Sequence, residues 1–126
     1  MVIPEFVIGV KDVRASATWY QQLLRCEAAH GGDTFEILKD EKGTVILCLH
    51  KWGPHGHPTL TDPAITPGNG LIVFLRVSNF RQIWKNAQGI SQLQVAEVPH
   101  MNHNSGREEF SLRDPDGYYV SISAAE

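Results

Sequence analysis

One pattern of elements occurs twice in this chain of 126 residues, and the repeat constrains the fold more than any single motif. Glu5 to Val10 alternates as a strand, with Phe6, Ile8 and Val10 on one side and Glu5, Val7 and Gly9 on the other. Asp12 is placed to cap a helix that runs to about Leu24, with Val13, Ala17, Tyr20 and Leu24 on one stripe and Trp19 and Leu23 widening it. Arg25 closes the helix. Three strands follow, at about Cys26–Ala29, Phe35–Leu38 and Thr44–His50, turned by Gly31-Gly32-Asp33 and Asp40-Glu41-Lys42-Gly43. The order is βαβββ.

It then starts again. Leu71–Val77 reads as a strand, and Asn79 caps a helix carrying Phe80, Ile83, Trp84 and Ala87, which Gly89 terminates. Gln94–Val98 reads as a short strand and His100–Gly106 as polar loop. The chain ends in a hairpin, Phe110–Ser123, turned by Asp114-Pro115-Asp116-Gly117. The halves match locally. Val10-Lys11-Asp12-Val13-Arg14 parallels Val77-Ser78-Asn79-Phe80-Arg81, and Phe35 through Gly43 parallels Phe110 through Gly117 with one residue of slack in the turn. The repeat predicts one α+β domain over residues 1–126, with modules at about 1–50 and 70–126. A Pro- and His-rich loop, 51–69, joins them, long enough to suggest a function of its own.

Each sheet then has one face on its helix and one open face. Aligning Gly43 with Gly117 puts Glu5, Val7, Gly9, Leu47 and Leu49 on the open face of the first half. Ile72, Phe74, Arg76, Arg107, Glu109, Ser111, Tyr119, Ser121 and Ser123 take the open face of the second.

This order of elements resembles the vicinal-oxygen-chelate superfamily, which includes glyoxalase I, extradiol dioxygenases, fosfomycin-resistance enzymes and bleomycin-binding resistance proteins. The likeness is sharpest at Val10-Lys11-Asp12 leading into Ser16–Leu24, at Gly70–Phe80 and at Phe110–Ser123. It implies the glyoxalase/bleomycin-resistance fold, with two paired βαβββ modules forming cup-shaped mixed sheets, and a homodimer whose clefts involve both chains. Metal enzymes of the superfamily take their ligands from the open faces of the first, fourth, fifth and eighth strands. By the resemblance these positions are Glu5, Leu47, Ile72 and Ser121. Only Glu5 suits a zinc, nickel or iron ion. The expectation is therefore no metal and no cofactor. The chain looks like a metal-independent small-molecule-binding protein, similar to bleomycin-type antibiotic-resistance proteins. The alternative is a glyoxalase-like lyase, isomerase or dioxygenase, using either a displaced metal site or Glu acid/base catalysis.

The expected ligand contacts are aromatic at Trp52, Phe74 and Tyr119 and polar at Arg76, Glu109, Ser121, His50 and His57. Glu5 and Glu109 are the candidate catalytic bases, since a carboxylate in an apolar cleft can act as one. Trp52 reads either as a stacking residue at the mouth of the cup or as packing under the loop. His50, His55 and His57 read first as hydrogen-bonding or packing residues, and second as ligand contacts or, with Asp62, a metal site. Cys26 and Cys48 match no metal or redox spacing and are expected to be buried. No Ser-His-Asp order, CxxC pair, phosphate loop or dinucleotide fingerprint is present.

The composition narrows the partners. The net charge is −3 and no Lys/Arg cluster occurs, which weighs against nucleic acid and anionic lipid. No apolar run approaches the roughly 20 residues of a membrane span. No signal-peptide pattern opens the chain, so the expected location is cytoplasmic.

Overall fold

The two hairpin turns are chemically the same. Asp40 Oδ1 accepts the N–H groups of Lys42 and Thr44, each at 2.9 Å. Asp114 Oδ1 accepts those of Asp116 and Tyr118, also at 2.9 Å. Gly43 and Gly117 close the turns at φ 82° and 87°, a region that favours glycine. A computed structural model describes residues 1, 3–54, 57, 60–62, 64–68 and 71–125. The chain divides into two compact units, Met1–Gln21 with Arg25–Pro67, and Gln22–Leu24 with Gly68–Glu126.

The elements of the first half are β1 (Val7–Val10), α1 (Val13–Leu24), β2 (Glu27–Ala28), β3 (Phe35–Lys39) and β4 (Val45–Lys51). The second half holds β5 (Ile72–Val77), α2 (Phe80–Gln88), β6 (Gln94–Asn102), β7 (Arg107–Arg113) and β8 (Tyr119–Ala124). Each half forms a four-stranded mixed sheet, in the order β1-β4-β3-β2 and β5-β8-β7-β6. β1 runs parallel to β4 and β5 parallel to β8; the remaining pairs are antiparallel. This is the α+β architecture of paired βαβββ modules. Among the described residues no helix is long and apolar enough to cross a membrane.

Local chemistry explains the helices. Asp12 accepts the Ala15 N–H at 3.0 Å at the start of α1, and Arg25 ends it in the left-handed region with its N–H on Gln21 O. Val13, Ala17, Tyr20 and Leu23 are buried, each large side chain contributing about 1.5–3 kcal/mol. α2 buries Phe80, Ile83, Asn86 and Ala87. Phe80 and Trp84 hold Phe110 of β7 at ring distances of 5.5 and 4.8 Å.

The register corrects two readings of the sequence. The first concerns which residues of β3 and β4 face the helix. Glu36 pairs with Leu49, and its carboxylate meets Arg14 of α1 at 2.5 Å. Glu36, Leu38, Leu47 and Leu49 therefore face α1, while Phe35, Ile37, Cys48 and His50 share the open face with Val7 and Gly9. Leu47 and Leu49 had been expected on the open face. The cause is a β-bulge. Leu38 pairs with Leu47 but Lys39 pairs with Val45, so Ile46 is extra and flips the strand beyond it. In the second sheet the same strands pair in step, Arg113 with Tyr119 and Leu112 with Val120. Cys48 thus corresponds to Ser121, and Glu36, not Phe35, corresponds to Phe110.

The second correction concerns β6. It reaches Asn102, so His100 lies in a strand rather than a loop. Two register shifts, between Val95 and Glu97 and between Glu97 and His100, break the alternation that would have revealed it. The loop shrinks to a tight turn in which Gly106, at φ 72°, donates to Asn102 O at 2.8 Å.

Candidate functional site

The open face of the second sheet carries three aligned rows. Ile72, Tyr119, Arg113 and Gln94 form one; Phe74, Ser121, Ser111 and Glu97 the next; Arg76, Ser123, Glu109 and His100 the third. The β5 edge is exposed, apolar at Ile72 (59%) and Phe74 (53%) and charged at Arg76. The middle is a floor of buried serines, Ser111, Ser121 and Ser123. The β6 side is a chain of titratable groups.

That chain can be followed atom by atom. Ser111 Oγ donates to Ser121 Oγ at 3.4 Å, and the Tyr119 hydroxyl donates to Glu97 Oε1 at 2.8 Å. Tyr119 also bonds Ser111, which lowers its pKa. Burial and the charge and hydrogen bond of Glu97 outweigh this, so the phenol is shifted up and stays a donor. Arg113 stacks 4.9 Å above its ring. His100 Nδ1 donates to Val98 O at 2.9 Å, which turns Nε2 towards the carboxylates. That nitrogen lies 3.7 Å from Glu97 Oε2 and 3.9 Å from Glu109 Oε1. Glu109 is only 9% exposed, and Asn102 Nδ2 donates to its Oε1.

The first sheet presents a different open face. A Cβ on Gly9 would sit 2.5 Å from Trp52 Cε3 and 2.7 Å from Leu60 Cδ2, so these two side chains pack directly on this strand. Trp52 N donates to Val10 O and its indole Nε1 to Asp62 O at 3.1 Å. Trp52 is thereby a packing residue over Gly9. His50, 5% exposed, stacks edge-on against His57 at 4.8 Å and against Phe35 at 6.2 Å. Its Nδ1 lies 2.7 Å from Lys51 O, which only accepts, so Nδ1 carries the proton. His55 lies outside the described residues.

The residues singled out from the sequence thus fall into two groups. Phe74, Arg76, Glu109, Tyr119 and Ser121 lie on the second sheet; Glu5, His50, Trp52 and His57 belong to the first unit. Glu97, His100, Asn102 and Ser111 were missing from the expected contacts. A hairpin centred on Asn104-Ser105-Gly106 would have set His100 opposite Glu109, and that turn sequence was the available signal.

The superfamily's metal does not fit the donors. The bulge replaces Leu47 with Cys48 on the open face. Burial and the neighbouring charge of Glu5 push that thiol up, which keeps it protonated and a poor ligand. Ile72 has no donor atom, and Ser121 Oγ is engaged by Ser111. Among the described residues no three His, Cys, Asp or Glu side chains gather in a metal-binding group.

Two surface cavities lie elsewhere. One of about 650 Å³ adjoins the start of α2, beside the Arg81–Glu108 ion pair. One of about 300 Å³ adjoins Lys11, Asp12 and Arg14 at the start of α1. No residue expected to bind ligand lines either.

Known structures share this architecture. A protein of unknown function from Agrobacterium tumefaciens superposes with a TM-score of 0.80 at 14% identity, over 100% of this chain and 95% of that one. A glyoxalase/bleomycin resistance protein/dioxygenase family enzyme from Burkholderia phytofirmans gives 0.79 at 14% identity, over 100% of both chains. A possible glyoxalase from Bacillus cereus gives 0.67 at 19% identity, over 98% of both. No protein-family model matches the sequence, and no curated protein matches it. At these identities the likeness establishes the glyoxalase/bleomycin-resistance fold.

Proposed function

We propose that this protein is a metal-independent small-molecule-binding protein of the bleomycin-resistance type, working as a homodimer. Its ligand lies against the open face of the second sheet. The carrying observation is the composition of that face: buried serines between an exposed apolar edge, Ile72 and Phe74, and the polar chain of Glu97, His100, Glu109 and Tyr119. An apolar wall facing a few fixed polar groups is what small-molecule recognition requires. Binding needs neither a metal nor a nucleophile, and the donor set at the superfamily's metal positions is poor.

The test is calorimetric titration of the purified full chain with a panel of bleomycin-type glycopeptide antibiotics, alongside sedimentation. Saturable binding at one site per chain, by a dimer, is expected. Absence of heat with every member of the panel overturns the reading. One observation favours a second reading, an acid/base lyase or isomerase. The buried carboxylate of Glu109 faces Nε2 of His100 at 3.9 Å, a pair suited to moving a proton. Turnover of a carbonyl substrate that is lost in E109Q would select it.

A further inference from the structure

We infer that the β5 edge of the second sheet is a subsite for a carboxylate joined to an apolar body, with the anion on Arg76 and the body along Phe74 and Ile72. The inference deepens the small-molecule reading above and rests on its placement of the ligand on this face.

Three successive open-face positions of one strand carry it. Ile72, Phe74 and Arg76 alternate with Val73, Leu75 and Val77, so all three project from the side away from α2. They are exposed, while the serines beside them on β8 and β7 are buried. Residues two apart on a strand stand about 7 Å from each other. A cation, an aromatic ring and an aliphatic group therefore follow at fixed intervals along one edge.

The state of Arg76 is an independent observation. Among the described residues its guanidinium meets no carboxylate and no other hydrogen-bond acceptor. The carboxylate in its row, Glu109, stands two strands away, beyond Ser123. The other arginines of the face are placed differently. Arg113 donates to Gly117 O and stacks on Tyr119, and Arg107 lies on β7 two residues from Glu109. A guanidinium is charged throughout the neutral range, and its planar fork of N–H donors fits a carboxylate. An unpaired cation next to exposed apolar groups is complementary to an amphipathic carboxylate in charge and in hydropathy together. A neutral ligand would leave the charge unanswered, and a small inorganic anion would leave Phe74 and Ile72 in water.

The probes are 4-phenylbutyrate and its neutral isostere 4-phenylbutanamide, titrated separately into the full chain at neutral pH and followed by heteronuclear NMR. The carboxylate should shift the backbone amides from Ile72 to Arg76 and bind about fivefold more tightly than the amide, the margin of a partly exposed ion pair. Added sodium chloride should narrow that margin. Arg76→Gln should bring the ratio to unity, and Arg76→Lys should keep part of it. Phe74→Ser should weaken both probes alike and leave the ratio unchanged. Equal affinity of the two probes overturns the subsite, as does a ratio unchanged in Arg76→Gln. Absence of any shift along β5 also overturns it, and a Phe74→Ser chain that sediments as a monomer where the native chain is a dimer would then give the face to a second copy. The two readings fail separately. Binding of 4-phenylbutyrate that depends on Arg76 stands whatever the antibiotic panel gives, and equal affinity of the probes leaves the panel's result untouched.

Discussion

Glu36 and Glu109 lie on corresponding strands of two copies of one module, and their surroundings are opposite. Glu36 faces α1 with no exposed surface, and every need of its carboxylate is met. It takes Arg14 at 2.5 Å, the N–H groups of His30 and Gly31 at 2.6 and 2.8 Å, and its neighbour Ile37 N–H at 2.8 Å. Glu109 faces the open side with one amide donor and no Lys or Arg partner among the described residues. A buried charge that is fully paired organises structure. One that is under-paired marks a place where something else completes it.

Removing Glu36 should give the largest effect. Glu36→Ala leaves three backbone donors without their acceptor, and denaturant unfolding should show a loss of about 3 kcal/mol. Burial alone would raise this carboxyl. Arg14 and the three N–H groups overcome it and lower the pKa from 4.5 to about 2. A depressed carboxylate contributes stability that is present above its unfolded value. That contribution should fade as pH falls from about 4.5 through about 2, and Glu36→Gln should flatten this limb of the stability curve. An unchanged acid limb would break the assignment of Glu36 as the anchor of the His30–Gly31 turn.

The first sheet's open face gives the next effect. Gly9→Val pushes a side chain into the space held by Trp52 and Leu60, and the overpacking should cost about 2 kcal/mol. Thermal unfolding measures it, and the tryptophan emission of the folded state should shift as Trp52 lifts. Adding Trp52→Ala should recover part of the loss, a coupling expected only of residues in contact. No comparable strap lies over the second sheet's open face among the described residues, where Phe74 is 53% exposed.

The sequence made the elements and turns legible because their signals are local. Asp40 with Gly43 and Asp114 with Gly117 set the same turn, and the apolar stripes of both helices are buried except at Leu24 and Trp84, which are half-buried. Facing was not legible on the first sheet. The phenylalanines that aligned the halves, Phe35 and Phe110, are not equivalent: Phe110 packs on α2, while Phe35 meets His30 and His50. A bulge at Ile46 is one unpaired residue, and nothing in its sequence context sets it apart from an ordinary strand position. The titratable side of the second sheet was hidden for a related reason. β6 carries Pro99 and two register shifts, devices that blunt an edge strand and also erase its alternation. His100 therefore read as a loop residue, and Glu97 as part of a short strand that stopped at Val98.

Glu109 sharpens the comparison by its sign. Glu109→Gln keeps an acceptor for Asn102 and removes a buried charge without a full partner. At neutral pH it should leave stability unchanged or raise it by up to about 1 kcal/mol, against the loss at Glu36. A destabilisation as large as that of Glu36→Ala would show that the two carboxylates play one structural role, and would remove the contrast.

The smallest effect tests whether the polar chain is continuous. Ser111→Ala deletes a long hydrogen bond to Ser121 and a bond to Tyr119, and stability should fall by only about 0.5 kcal/mol. The informative quantity is Tyr119. Ser111 is the hydrogen bond that lowers its pKa, opposing burial and Glu97, which raise it. Without Ser111 only the smaller effect of the Arg113 charge opposes the raising influences, so ultraviolet titration should show this phenol ionising at still higher pH. Glu97→Gln removes the opposing charge and should bring it down. Two variants on neighbouring strands, moving one tyrosine in opposite directions, would establish that Ser111, Tyr119 and Glu97 respond as one connected array. If neither variant moved it, the three side chains would be separate neighbours, and the ordering of Glu97 towards His100 would lose its support.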